Sequence, residues 1–338
     1  MGIDTITACI HIVPEWLELV FLNFSIGVLV CRLWVLEDSA VTRIWRLLGI
    51  ALAAMIASSV GDLLVRAAEM SGQPLSAVFS VLPTVVLRTH LGHIWFIRIA
   101  ALFSLSIALG AGSRHRDSRA FMVCLLGLLA IVAMTKSASG HASDAGDFSV
   151  AEIMDWLHLM AASLWGGGLF VLAAVILPGL ARSNRPAKVT AGVVQRFSRM
   201  AGISVGIIAL TSLYNAWSFV GSVGALWEAP YGWAVMAKAV LFLLLVCLGA
   251  YNRYVSVPLL GEWAGLSPVE QGGVSPIFAR FRNSPDCRLI IQRLERCIRI
   301  EAFLMVMVLF CATLLRHEIP ARHYSHMENN GRSLHPHH

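Results

Sequence analysis

The chain has 338 residues, 57% hydrophobic and only 14% charged, where soluble globular chains carry about 25% charged residues. Its formal net charge is +6, but the basic residues gather in particular connections and form no continuous stripe, which excludes nucleic acid as a partner. Apolar runs near 20 residues recur, the length that crosses a hydrocarbon core of about 30 Å. The period-2 alternation of a membrane barrel is absent. The fold class expected is therefore all-α, a polytopic transmembrane helical bundle embedded in membrane lipids.

Eight spans are expected, over residues 14–36, 44–65, 91–110, 120–137, 151–178, 198–219, 232–254 and 298–315. They divide into an N-terminal four-helix half (1–148), a four-helix core (149–316) with a loop at 256–297, and a histidine-rich tail (317–338). No lysine or arginine precedes Arg32. A secretory signal needs a positive n-region, so the first apolar segment is expected to be a retained span. Eighteen of the 26 basic residues fall in the connections after spans one, three, five and seven. Cytoplasmic loops carry the excess of lysine and arginine, which predicts both termini outside. In a bacterium this is the periplasmic side of the inner membrane. Of the twelve histidines, only His115 falls on the opposite, cytoplasmic side.

Taken in order, span two carries Asp62 near its outer end, and Thr89-His90-Leu91-Gly92-His93 opens span three. His90 and His93 share a helix face at i, i+3, and Arg98 lies about one and a half turns deeper. Span five holds the stretch the chain is arranged around, residues 152–169, EIMDWLHLMAASLWGGGL. Asp155 and His158 share a face there, with Met154 on a neighbouring stripe. Ionisable residues inside a span are costly and mark function by default. The run Gly166-Gly167-Gly168 removes side chains and lets another backbone approach. Lys238 in span seven and Glu301 in span eight complete the intramembrane charges, with Asp62 or Asp155 the candidate counter-ions of Arg98 and Lys238. A basic stretch, 288–299, is expected to lie on the inner membrane surface.

Imidazole is the commonest protein metal ligand. The candidate metal site is His90, His93, Met154, Asp155 and His158, contributed by spans three and five. His323, His326, His335, His337 and His338 in the tail form a secondary capture tract, since His-rich tracts read as metal-binding. The seven cysteines contain no CxxC pair, so neither zinc nor a redox motif is indicated. Neither GxxxxGK[ST] nor GxGxxG occurs, which argues against ATP-driven transport by this chain. No catalytic constellation is present, and no enzymatic activity is expected.

Several segments, in order, resemble the copper resistance protein D (CopD) family of bacterial inner-membrane proteins. They are Asp155-Trp156-Leu157-His158 with Trp165-Gly166-Gly167-Gly168-Leu169, Arg196-Phe197-Ser198-Arg199, Tyr214-Asn215-Ala216-Trp217, Tyr231-Gly232 through Lys238, Asn252-Arg253-Tyr254 and Arg299-Ile300-Glu301. The family pattern has Gly before Leu-Tyr-Asn, where this chain has Ser212. The resemblance covers spans five to eight well and spans one to four mainly at 89–98. It implies copper, as Cu+ or Cu2+, taken up at the inner membrane, and a periplasmic copper-binding partner of the CopC type. Two other readings stand beside it. A b-type haem electron-transfer protein would use His93 with His158 as axial ligands, against which His115 is the sole inner histidine. A non-transporting copper receptor or assembly factor would use the same outer histidines.

Overall fold

The structure is a computed structural model that describes residues 2–36, 43–72, 74–182, 187–220, 230–266 and 287–317. Among these residues there is no strand, and eight helices are long and apolar enough to cross a membrane. They are span one (Ile12–Val35), two (Arg43–Ser71), three (His90–His115), four (Arg119–Ser137), five (Val150–Leu180), six (Lys188–Ser218), seven (Gly232–Trp263) and eight (Leu289–His317). All eight expected spans are present, and the chain is a multi-pass membrane protein. Two boundaries differ from expectation. Span seven continues to Trp263, and the helix of span eight begins at Cys287, so 288–299 forms its first turns and not a separate surface helix. The Arg/Leu/Ile alternation of that stretch suits an amphipathic helix that runs straight into an apolar one.

Spans one and five form the centre. In their most apolar windows 78% and 67% of residues are buried, against 6% for span seven. Span one packs against spans two, four, five and eight, and span five against one, four, six and eight. Span three packs against two and four, and span seven chiefly against eight. The centre depends on glycine. A Cβ on Gly167 would lie 1.8 Å from the Asn23 carbonyl oxygen, and one on Gly27 would lie 2.1 Å from the Gly167 carbonyl carbon. The two backbones therefore touch, as small residues allow between membrane helices. Gly166 and Gly168 receive Met305 and Phe197 in the same way. Large apolar side chains such as Trp217, Leu210 and Leu213 point outward; in water this would be a liability, in lipid it is the solvent-facing surface.

Chain entry into each span follows local chemistry. Thr89 caps span three by accepting from Gly92 N–H at 3.1 Å. Span five opens on an N-cap: Ser149 accepts from Glu152 N–H at 3.2 Å, and the Glu152 carboxylate reaches back to accept from Phe148 N–H. Phe148 holds φ 55° to do so. π-turns occur at Cys31–Val35, Leu172–Ile176 and Asn252–Ser256, at the same end of spans one, five and seven. The last two stand just ahead of Pro178 and Pro258. A proline ring crowds the carbonyl four residues back, and a widened turn makes room for it.

One end of the bundle carries His90, His93 and His317. The other carries most arginines, with Arg32 on Asp117 at 2.5 Å, Arg116 over Trp45 and Arg196 Nε donating to Val35 O at 2.8 Å. These are called the histidine end and the arginine end below.

Candidate functional site

At the histidine end, charges from five spans meet in the protein interior. Glu15 and Glu18 of span one are fully buried. Lys136 of span four, also fully buried, lies 3.0 Å from Glu18 and 3.4 Å from Glu15. Arg316 and His317 of span eight reach Glu15 at 2.7 and 3.0 Å. Asp62 of span two is 3.0 Å from Arg66 and 3.7 Å from Arg98. Arg98 of span three also approaches Glu18 at 3.5 Å, and donates to Thr135 O and Ser139 Oγ at 2.9 Å each. Asp62 is thus the counter-ion of Arg98, as one of the two expected pairings had it. Three carboxylates face four permanent cations and one histidine, so every acid here is spent on a cation. The cluster ties spans one, two, three, four and eight together and leaves no carboxylate over for a ligand. Glu15, Glu18 and Lys136 escaped the sequence reading. Their signal was two acids at i, i+3 beside Pro14 at the mouth of an apolar helix.

A second group lies in the C-terminal half. His158 Nδ1 is 3.0 Å from Thr211 Oγ1 of span six. The Thr211 hydroxyl lies 2.8 Å from Ile207 O and 3.2 Å from Ile208 O. Its one proton goes to those carbonyls, so Nδ1 carries the imidazole hydrogen and donates to Oγ1. The lone pair is thereby left on Nε2. Asp155 and Lys238 interact electrostatically with His158 and with each other, and Cys311 of span eight lies within electrostatic reach of Lys238. The structure thus brings together Asp155, His158 and Lys238, half-buried among spans five, six and seven. It places His90 elsewhere: exposed, with Nε2 3.0 Å from Asp147 Oδ1. His93 is exposed too. No extended contact joins span three to span five. Among the described residues no three of His, Cys, Asp and Glu gather as a metal cage. Met154 is half-buried on span five. The tail histidines His323, His326, His335, His337 and His338 lie outside the described residues.

A third feature was not anticipated. A cavity of about 460 Å³ opens in the arginine half, between spans six, seven and eight with Trp165 of span five. Glu301 reaches into it, 3% exposed, and its Oε1 accepts from the Asn252 amide. Among the described residues no cation lies within ion-pair distance of Glu301. Arg299, two positions before it, pairs instead with Glu295 at 3.5 Å on the exposed face. Arg253 donates to Ser198 O at 2.6 Å and passes over Gly202, where a Cβ would meet its guanidinium at 2.6 Å.

The family model described as copper resistance protein D matches residues 191–315, and that of the copper resistance protein D-like N-terminal domain matches 6–150. The chain belongs to the copper resistance protein D family. Among curated relatives, "Copper transport protein CutJ" of Bacillus subtilis (strain 168) is 31% identical over 189 residues, 51% of this chain and 34% of that protein. "Copper resistance protein D" of Pseudomonas syringae pv. tomato is 29% identical over 175 residues, 52% of this chain and 56% of that protein. The chain spans about a third and a little over half of the length of these relatives. No solved structure matches it. Three of the segments that carry the CopD resemblance, Ser198-Arg199, Asn252-Arg253-Tyr254 and Glu301, meet around the cavity of the arginine half together with Trp165. The segment Asp155 to His158 stands apart from it, at the other half of span five.

Proposed function

We propose that this chain handles copper in the bacterial inner membrane, accepting the ion from the periplasm at the histidine end and passing it towards the cytoplasm. The observation that carries the reading is the 3.0 Å contact of His158 Nδ1 with Thr211 Oγ1: with the Thr211 hydroxyl donating to its own helix carbonyls, Oγ1 accepts from Nδ1–H and the Nε2 lone pair is kept for a metal. A ligand imidazole oriented through its other nitrogen is the usual arrangement around bound metals. The printed names of the two relatives, one a copper transport and one a copper resistance protein, support copper as the cargo.

His158, Asp155 and Met154 form the acceptor in this reading, with Cys311 near at hand. Imidazole suits either copper ion, and sulfur selects Cu+. Lys238 competes with copper for Asp155, so arrival of the ion and retreat of the ammonium go together. His90, His93 and the tail histidines collect copper at the periplasmic surface, where a CopC-type protein is the natural donor. The orientation follows from the basic residues. Of the few basic residues at the histidine end, Arg66, Lys136 and Arg316 are bound to carboxylates in the cluster there, which leaves that surface poorer still in free positive charge. The chain acts as a carrier or acceptor and not as an enzyme.

The test is copper titration of folded protein truncated after Ala321, with and without His158→Ala. High-affinity binding is expected to vanish in the variant. Equal affinity in parent and variant would remove His158 from the site. Radiocopper flux into proteoliposomes then separates carriage from binding alone.

A further inference from the structure

The cavity of the arginine half has walls that suit no copper ion: among the described residues no histidine, cysteine or methionine lines it. Its one carboxylate is Glu301, near the middle of a helix of 31 residues and so about 20 Å from either end. One oxygen accepts from Asn252. The other faces Gly249, at 3.9 Å from where a Cβ would stand, with the edge of Trp165 equally close to that point. A single carboxylate and an amide cannot supply the six or more oxygens that a hard divalent cation takes. The ligand that fits one buried carboxylate is a proton, since the neutral acid is the form an apolar site tolerates without a cation.

The charged and titratable groups around Glu301 are few. Arg253 of span seven is engaged by Ser198 O and lies over the Tyr254 ring. Arg199 of span six is on the exposed rim, and Cys297 lies one turn away on the same helix. Span five presents Trp165, which does not titrate. A second void of about 30 Å³ shares Ser198, Arg199, Arg253 and Val257 with the cavity and continues to Gln195 and Ala191. The polar lining therefore runs from Glu301 towards the arginine end. Acidic residues within membrane spans commonly mark proton relays.

We infer that Glu301 is a proton-binding site loaded from the arginine end through this cavity, and that its proton is exchanged against copper movement. The second clause rests on the copper-transport reading above; the first does not. Proton binding is tested on the full chain in lipid nanodiscs with dicyclohexylcarbodiimide, an apolar reagent that adds to protonated carboxyls, and peptide mass spectrometry. Glu301 is expected to be labelled, with labelling falling as the pH is raised from about 6 to about 9, while Glu15, Glu18 and Asp62 stay unlabelled. No label on Glu301 at any pH, or equal label on the paired acids, overturns the site. Coupling is tested in proteoliposomes: parent copper flux responds to an imposed pH gradient, Glu301→Gln binds copper but loses that response, and Glu301→Asp recovers part of it. A gradient response undiminished in Glu301→Gln overturns the coupling. Labelling of Glu301 in a parent that carries no copper upholds the proton site and overturns the transport reading instead.

Discussion

The histidine-end cluster and the arginine-half cavity both bury carboxylates inside the membrane, and they treat them in opposite ways. Glu15 has Arg66, Lys136, Arg316 and His317 within 3.5 Å. Glu301 has one neutral amide and open space. In the first region each charge is compensated by neighbours on other helices, so the acids act as cross-braces between spans. In the second the protein leaves a carboxylate uncompensated at the wall of a void. Burial alone therefore does not mark function in this bundle; burial without a counter-charge does. The same contrast explains why Asp155 differs from Asp62. Asp62 is closed in by Arg66 and Arg98, while Asp155 shares a single lysine with a histidine that has a free ring nitrogen.

The contrast breaks most visibly at Glu15. Glu15→Ala would take their carboxylate from Arg316 and His317 and one of two carboxylates from Lys136 and Arg66, and removing one partner of a buried ion pair costs about 3–5 kcal/mol. Thermal unfolding in detergent is expected to show this as a large drop in midpoint, with loss of monodispersity. A midpoint within a degree or two of the parent would mean that the cluster is solvated and not a brace.

The next effect concerns the hydrogen-bond partner of His158. Thr211→Val keeps the shape and removes the oxygen that accepts from Nδ1–H. Loss of such an outer partner lowers metal affinity about 10–100-fold. Thr211→Ser, which restores the hydroxyl, is expected to return most of it. Copper titration of the tail-truncated protein reads the change, and unaltered affinity in Thr211→Val would show that the hydroxyl does not set the tautomer.

Sequence reading found the spans because apolar runs of membrane length are written continuously along the chain. It misjudged the start of span eight because charged helical turns look the same whether they lie on a membrane or lead into it. It offered Asp62 and Asp155 alike as counter-ions of Arg98 and Lys238; the structure sets Asp62 and the unforeseen Glu18 beside Arg98, at 3.7 and 3.5 Å. It did not single out Lys136, at the last turn of span four, and only the fold shows it reaching Glu15 and Glu18. It grouped His90 and His93 with His158 by depth alone. Depth is legible in one sequence, but which helix stands beside which is not. Span five turned out to face span six at His158 and span one at Gly167. The cavity was illegible for the same reason: Ser198, Asn252 and Glu301 lie on three helices, up to 103 positions apart.

The smallest effect on stability completes the comparison. Glu301→Gln keeps an oxygen to accept from Asn252 and adds an amide that can face the cavity. No cation loses its partner, because none is paired with Glu301 among the described residues. What is exchanged is one hydrogen bond to a charged or neutral acid for one to an amide, a difference of about 1 kcal/mol or less. The unfolding midpoint of Glu301→Gln is therefore expected to lie close to that of the parent, and far above that of Glu15→Ala. Should Glu301→Gln prove as damaging as Glu15→Ala, the carboxylate would be bearing structure through a charge partner, and the distinction between the two regions would fail at its more informative end.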